Sequence, residues 1–367
     1  MIPPFVAELS DDEIQTVLIA AAEILRSGRL VLGPYTCAFE MTVAAMAGTR
    51  HAVAVNSGST ALEIVYRALA VRGKTVLIPT NTNYATAAAA LQAGAKVSLY
   101  DSGLYPNVSD IEQRLTADVA AVVVVHIGGY ISPDLPQLAH TCHRLGVALI
   151  EDAAHAHGST LYGVAAGGFG RAAAFSFFPT KTITTGEGGA LVTDDSGLAA
   201  SARMYRDQGK DHESKHVVVG GSWRITEIGA ALGSAQLDHL HRDVARRRAI
   251  IDRYTAGLSN MGLTFPDLHG LEVSGYKCVA MLDDGIQRDA LRKAVAAQGV
   301  QLGRGVYEQP LHTQPVFADL NVTDPFPTAD DFTARHICLP LWRFMTDETV
   351  ERVIEAIRHA VTRLTKT

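Results

Sequence analysis

A single lysine, Lys181, stands in the run Phe175-Ser176-Phe177-Phe178-Pro179-Thr180-Lys181-Thr182-Ile183-Thr184-Thr185-Gly186-Glu187-Gly188-Gly189. Aromatic residues precede it and glycines follow, so its amine is expected just past a strand in a partly dehydrated place. Dehydration lowers the pKa of an amine, and a neutral amine condenses with an aldehyde to form an imine. A surface lysine on a glycine-rich loop is the plainer alternative, and the aromatic packing argues against it. Ser176 and the hydroxyls around Lys181 are candidate phosphate ligands.

A second cluster, Glu151-Asp152-Ala153-Ala154-His155-Ala156-His157-Gly158, follows a strongly apolar run. An acid there can keep a pyridine nitrogen protonated, which makes the ring an electron sink. Asp152 with His155 and His157 also suggests a metal cluster, but catalytic zinc needs three converging ligands and an open position. A capped strand end with satisfied histidines is the third alternative. In Asn56-Ser57-Gly58-Ser59-Thr60, small residues let backbone amides approach a phosphate, and a helix N-terminus adds favourable electrostatics. An ordinary N-cap uses the same residues.

These clusters fall where strands should end. Apolar runs at Ala52 to Val55, Thr75 to Ile78, Val97 to Tyr100, Val119 to Val125 and Val147 to Ile150 read as strands. Phe175 to Phe178 and Ala190 to Thr193 complete the set. Helical spacing lies between them, at residues 61–69, 85–91 and 133–145, and again over Thr226 to His241 and Arg242 to Leu258. Continuous apolar strands alternating with helices predict an α/β fold with a mostly parallel sheet covered on both faces, and ligands bind beyond the carboxyl ends of such strands. Ser10-Asp11-Asp12-Glu13 predicts a capping box for a first helix carrying Ile14, Val17, Leu18, Ala21 and Leu25 up to Gly28. After about residue 240 the texture changes. Val273 to Met281 and Pro310 to Asp324 read as strand and loop, and Asp347 to Leu364 as a last helix. The expected division is a large domain, 1–240, and a smaller C-terminal α/β domain, 241–367.

The 367 residues carry a formal net charge of −6 and no basic block, which excludes nucleic acid as the expected partner. No 18-residue apolar stretch predicts a membrane span. The first ten residues lack the pattern of a signal peptide. Cys37, Cys142, Cys278 and Cys338 form no CxxC pair, which points away from a zinc site or disulfide framework and toward a cytoplasmic location.

The lysine run resembles that of the DegT/DnrJ/StrS family of sugar aminotransferases, enzymes of pyridoxal-phosphate (PLP) fold type I. The likeness extends to Phe39-Glu40, Ser57-Gly58-Ser59, Glu151-Asp152-Ala153-Ala154 and Gly186-Glu187-Gly188-Gly189. It reaches Gly221-Ser222-Trp223-Arg224-Ile225-Thr226-Glu227, Tyr307 to Phe317 and Leu339-Pro340-Leu341. The resemblance implies that Lys181 holds PLP as a Schiff base, that Asp152 pairs with the ring nitrogen and that Tyr84 stacks on the ring. It implies that Gly58, Ser59 and Ser176 contact the cofactor phosphate, and places Tyr307 and His312 near the sugar. Arg224 pairs with a helix end or with a substrate phosphate on this reading. Two positions depart from the family pattern. His155 stands where most members carry glutamine near the ring hydroxyl, and Ser222 stands where most carry an asparagine that reaches the partner subunit's phosphate.

By resemblance the activity is amino transfer from glutamate or glutamine to a nucleotide-linked keto sugar, in a homodimer with shared sites. Relatives that dehydrate sugars have histidine in place of this lysine. An aromatising enzyme resembling aminohydroxybenzoate synthase and a non-catalytic regulator are the alternatives. A nicotinamide-dependent enzyme is disfavoured, since no GxGxxG follows the first strand.

Overall fold

The computed structural model describes residues 1–320 and 325–365. In chain order the first part runs α1 (Asp11–Ser27), α2 (Pro34–Ala47), β1 (His51–Val55), α3 (Gly58–Ala68), β2 (Thr75–Pro79), α4 (Tyr84–Gln92), β3 (Lys96–Tyr100) and α5 (Val108–Arg114). There follow β4 (Val119–Val125), α6 (Leu135–Leu145), β5 (Ala148–Asp152), the short β6 (Thr160–Leu161) and β7 (Val164–Ala165), β8 (Ala172–Ser176) and β9 (Gly189–Thr193). The remainder is α7 (Ser196–Arg206), α8 (Glu227–Leu237), α9 (Leu240–Leu258), β10 (Leu263–Thr264), β11 (Leu271–Glu272), β12 (Cys278–Leu282), α10 (Arg288–Ala297), α11 (Pro327–Arg335), β13 (His336–Leu339) and α12 (Asp347–Leu364).

The main sheet has seven strands in the order β1-β9-β8-β5-β4-β2-β3. Strands β3, β2, β4, β5 and β8 pair in parallel, and β9 runs antiparallel to both β1 and β8. Alternate side chains enter different cores: Ala52 and Ala54 of β1 pack on one side of the sheet, Val53 and Val55 on the other. Burial on both faces is what continuous apolar strands require. A second sheet, β10-β12-β13, is antiparallel and lies wholly after residue 240. The third, β11-β6-β7, joins the two parts of the chain.

Several expectations shift. The strand expected over Phe175 to Phe178 is instead Ala172–Ser176. Alanine is a poor strand former, so its first half carried no signal; Pro179 lacks an amide donor, so pairing stops after the Phe177 amide bonds the Gly188 carbonyl at 2.9 Å. In Val273 to Met281 only Cys278–Leu282 is strand, because the chain turns at Gly275 with φ +66°. The strand expected within Pro310 to Asp324 is replaced by two 3-10 turns, Leu311–Thr313 and Pro315–Leu320, with residues 321–324 outside the described set. Pro310 and Pro315 cannot donate to a ladder, and the Leu311 amide bonds the Thr80 carbonyl at 2.7 Å instead.

Helix α1 carries the expected capping box, with Glu13 accepting from the Ser10 amide at 2.8 Å. Its buried residues are Ala20 and Ile24, packed against Ala231 of α8, and Glu13, paired with Arg343. Leu18, Ile19 and Leu25 face outward, each more than half exposed. Among the described residues, no helix is long and apolar enough to cross a membrane.

Candidate active site

The antiparallel β9 brings three loops to one edge of the sheet. Gly189 pairs with Val55 on one side and with Ser176 on the other. The chain after β1 therefore lies beside the chain after β8. A Cβ on Gly189 would stand 2.2 Å from the Ser57 carbonyl oxygen, and one on Gly58 would stand 2.8 Å from Ser176 Cβ. Only glycine permits both approaches. Ser57 caps α3 by accepting from the Thr60 amide at 3.1 Å. The amides of Gly58 and Ser59, at the first two helical positions, have no carbonyl a turn earlier to bond. Free amides, the nearby hydroxyls of Ser59 and Ser176, and the positive end of α3 form a cradle for a small dianion.

Strand β5 supplies two acids with opposite facings. Glu151 is fully buried and accepts from the amides of Gly167, Phe169 and Gly170 at 2.7–2.8 Å and from His126 Nε2 at 2.9 Å. All its lone pairs are spent on structure. Asp152, one residue on, points to the other face. Its Oδ2 accepts from Thr86 Oγ1 at 2.8 Å, and its Oδ1 from the Ala154 amide at 3.2 Å. Thr86 is held in turn by Thr82 at 2.9 Å. Burial raises the Asp152 pKa above the usual carboxylate value, while the two hydrogen bonds and the charge of Lys181 pull it down. Among the described residues, no salt bridge neutralises this carboxylate.

The segment carrying Lys181 is tied down at several points. The Thr185 amide donates to the Phe177 carbonyl and the Lys181 amide to the Phe178 carbonyl, both at 2.9 Å. Gln236 of α8 accepts from the Thr184 amide at 3.1 Å and donates to its carbonyl at 2.6 Å. The Lys181 amine projects into a cleft of about 410 Å³ whose walls include Asn83, His155, Tyr276, Lys277, Arg304 and Tyr307. Burial brings its pKa from the ordinary 10.5 down to about 8; Asp152 opposes that shift and Lys277 adds to it. The amine and the carboxylate thus share one electrostatic environment.

His155 lines the same cleft. Its Nδ1 accepts from the Gly128 amide at 3.3 Å, which leaves the proton of the neutral ring on Nε2, 3.2 Å from the Tyr307 hydroxyl. Burial, first, and the charges of Lys181 and Lys277 hold its pKa well below 6.5, so the ring is neutral. Its ring stacks on Tyr276 at 4.2 Å. Tyr307 reaches His155 from a backbone with φ +59°, a conformation costly for a tyrosine and kept here by the surrounding bonds. Glu308 supplies those bonds, accepting from the Gly305 amide at 2.6 Å and from Arg292.

The other sequence candidates fall elsewhere. Tyr84 is the first residue of α4, half exposed, with its ring 5.7 Å from Phe317. His312 bonds Thr80 Oγ1 through Nδ1 at 2.7 Å and pairs with Asp330 through Nε2 at 3.3 Å, and it does not line the cleft. Arg224 is engaged by Asp207. Ser222 is exposed and takes a hydrogen bond from Gln208 Nε2 at 3.1 Å. Thr86, Tyr276, Lys277 and Arg304 were missed. For Thr86 a signal existed, since it follows the same loop as Tyr84; the others lie about a hundred residues from Lys181 with no motif around them. Among the described residues, no group of three or more His, Cys, Asp or Glu side chains could hold a metal ion.

Residues 11–358 match the DegT/DnrJ/EryC1/StrS aminotransferase family. The chain belongs to that family. This aminotransferase is 34% identical over 346 residues to the erythromycin biosynthesis sensory transduction protein EryC1 of Saccharopolyspora erythraea, covering 92% of the chain and 93% of that protein. It is 33% identical to the GDP-perosamine synthase of Caulobacter vibrioides, covering 89% and 90%. The solved structure of S. venezuelae DesV, in complex with a ketimine intermediate, superposes with a TM-score of 0.91 at 30% identity and covers 98% of each chain.

Proposed function

We propose that this aminotransferase moves an amino group from glutamate or glutamine to a ketone of a nucleotide-linked sugar, with pyridoxal phosphate attached at Lys181 Nζ. The observation that carries the reading is a lysine amine with its pKa brought to about 8, coupled to a buried carboxylate that has no cation of its own. The residues fit the cofactor. Its phosphate matches the cradle of Gly58, Ser59 and Ser176, where a Cβ on Gly58 would collide with Ser176. Its protonated ring nitrogen matches Asp152, a buried carboxylate with no ion pair among the described residues. Bound there, pyridoxal phosphate supplies an aldehyde that takes up amines and a ring that accepts the electrons left when a neighbouring carbon loses its proton.

The chain's own residues then divide the work. Asp152, oriented by Thr86 and the Ala154 amide, holds the ring-nitrogen proton. Lys181 Nζ, once released, is neutral for a sizeable part of the time near neutral pH and moves the proton from the donor's α-carbon. His155 stays neutral beside the site, its orientation set by Gly128 and Tyr307. On this reading residues 1–240 carry the cofactor and 241–367 close over it. The outward apolar residues of α1, Leu18, Ile19 and Leu25, with Met41 of α2, support a homodimer. All four cysteines are free, which suits a reducing cytoplasm.

Mass spectrometry of products after incubation with glutamate, glutamine and a panel of nucleotide keto sugars tests the assignment. An aminated sugar is the expected product. A dehydrated or aromatic product would instead favour the aromatising alternative suggested by His155. Lys181→Ala is expected to lose both the yellow colour and turnover. Turnover at the normal rate in that variant would end the proposal.

A further inference from the structure

The cleft holds a second lysine that the reaction above does not use. Lys277 stands immediately before β12, and its backbone amide donates to the Gly128 carbonyl at 3.3 Å, the same turn that presents an amide to His155. Its ammonium group lies 4.9 Å from the centre of the Tyr276 ring, and that of Lys181 lies 5.0 Å from the same point. The two nitrogens are therefore at most 9.9 Å apart, the sum of those distances. Tyr276 is itself fixed, stacked on His155 and with its hydroxyl 3.5 Å from Thr180 Oγ1. No aspartate or glutamate lines this cleft, and Lys277 has no ion pair among the described residues. Its closest ring contacts are Tyr276 and, at 5.9 Å, Phe5.

We propose that Lys277 is a positioning residue for Lys181, an unpaired cation fixed beside the Tyr276 ring whose charge enlarges the neutral fraction of the catalytic amine when it is free. The proposal rests on the aminotransferase reading, in which Lys181 must act as a base after release. The groups facing Lys181 act in opposite senses. Asp152, on β5, favours the ammonium form. Burial opposes it, and so does Lys277 from the loop before β12. His155 and His157 are both neutral, His157 with its pKa near 3, and Tyr276 and Tyr307 stay protonated because burial raises their pKa values. Arg304 is the remaining cation in the cleft wall. A unit charge at about 10 Å, at an effective dielectric constant of about 20, moves a neighbouring amine's pKa by about one, or roughly tenfold in its neutral fraction. Lys277 is thus placed to add to the lowering that burial begins.

The test measures the Lys181 amine directly. The full-length protein is loaded with pyridoxamine phosphate, which leaves Lys181 free, and trace acetic anhydride labelling is followed against pH by mass spectrometry of the Lys181 peptide. Lys277→Gln and Lys277→Met are expected to raise the labelling midpoint by about one pH unit, and Lys277→Arg to leave it near the wild-type value. Two neutral variants guard against one that fails to fold, and circular dichroism checks each. Midpoints unchanged in both neutral variants would overturn the proposal, as would Lys277→Arg shifting as far as they do. Cofactor loading is read separately from absorbance, so a chain that takes up no cofactor counts against the aminotransferase reading while the labelling midpoint still decides the role of Lys277.

Discussion

The hydrogen bond from Thr86 to Asp152 offers the sharpest test of how the site is tuned. Thr86→Val keeps the shape of the side chain and removes the hydroxyl that sits 2.8 Å from Asp152 Oδ2. Hydrogen bonds to a charged group contribute about 1.5–3 kcal/mol, which corresponds to roughly one to two pKa units. That bond favours the carboxylate, so its loss pushes the Asp152 pKa further up from a value burial has already raised. Less carboxylate means a weaker hold on the ring-nitrogen proton. The expected result is an acidic limb of the kcat profile moved up by about one to two pH units, with the melting temperature little changed. Thr86→Ser, which restores the donor, should behave like the wild type. Steady-state kinetics across pH, read beside the absorbance of the bound cofactor, makes the comparison. A Thr86→Val enzyme with an unmoved pH profile would refute the claim that this bond sets the charge on Asp152.

Further outcomes follow from other buried groups. Asp152→Asn should fold and bind cofactor yet lose most of its turnover, checked by kinetics on a variant whose thermal melt matches the wild type. His157 is buried between Phe175 and Phe177 with its pKa depressed to about 3, whereas an unfolded histidine titrates near 6.5. The native state therefore binds fewer protons between those values, and stability held above pH 6.5 is lost as the pH falls, by about 1.4 kcal/mol per pH unit from this residue. Denaturant melts from pH 7 to 5 should be less steep in pH for His157→Phe, and parallel curves would contradict the assignment. Arg343 joins Glu13 of α1 to Asp243 of α9 at 2.6 Å from the latter, all three buried. Arg343→Leu strands two carboxylates and should cost about 3–5 kcal/mol in chemical denaturation.

Much of this architecture was legible because the signals were local. Val119–Val125 and Asp347–Leu364 match the sequence expectation residue for residue, the first through an unbroken apolar run and the second through clear helical periodicity. Asp152 and Lys181 were legible from composition around them, and burial now explains the shifted lysine. Helix α2 was missed, since its residues are apolar on nearly every side and carry no period. The register that joins Val55, Gly189 and Ser176 is long-range, so the meeting of Gly58 with Ser176 could not be read from either segment. Lys277 and Arg304 come from loops beside the second sheet, and only the fold brings them opposite Lys181. Tyr307 was a candidate from its resemblance, but its left-handed backbone and its bond to His155 are tertiary facts.

The adjacency of Glu151 and Asp152 makes the middle of the molecule intolerant of a shift in strand alignment. Sliding β5 by one position would turn Glu151 toward the face that Asp152 now occupies and bury Asp152 among the amides of Gly167, Phe169 and Gly170. Folding quality and chemical competence are thus checked by the same pairing event: a chain that seats this strand wrongly loses its scaffold at the moment it loses its acid, and leaves no stable, inactive twin behind.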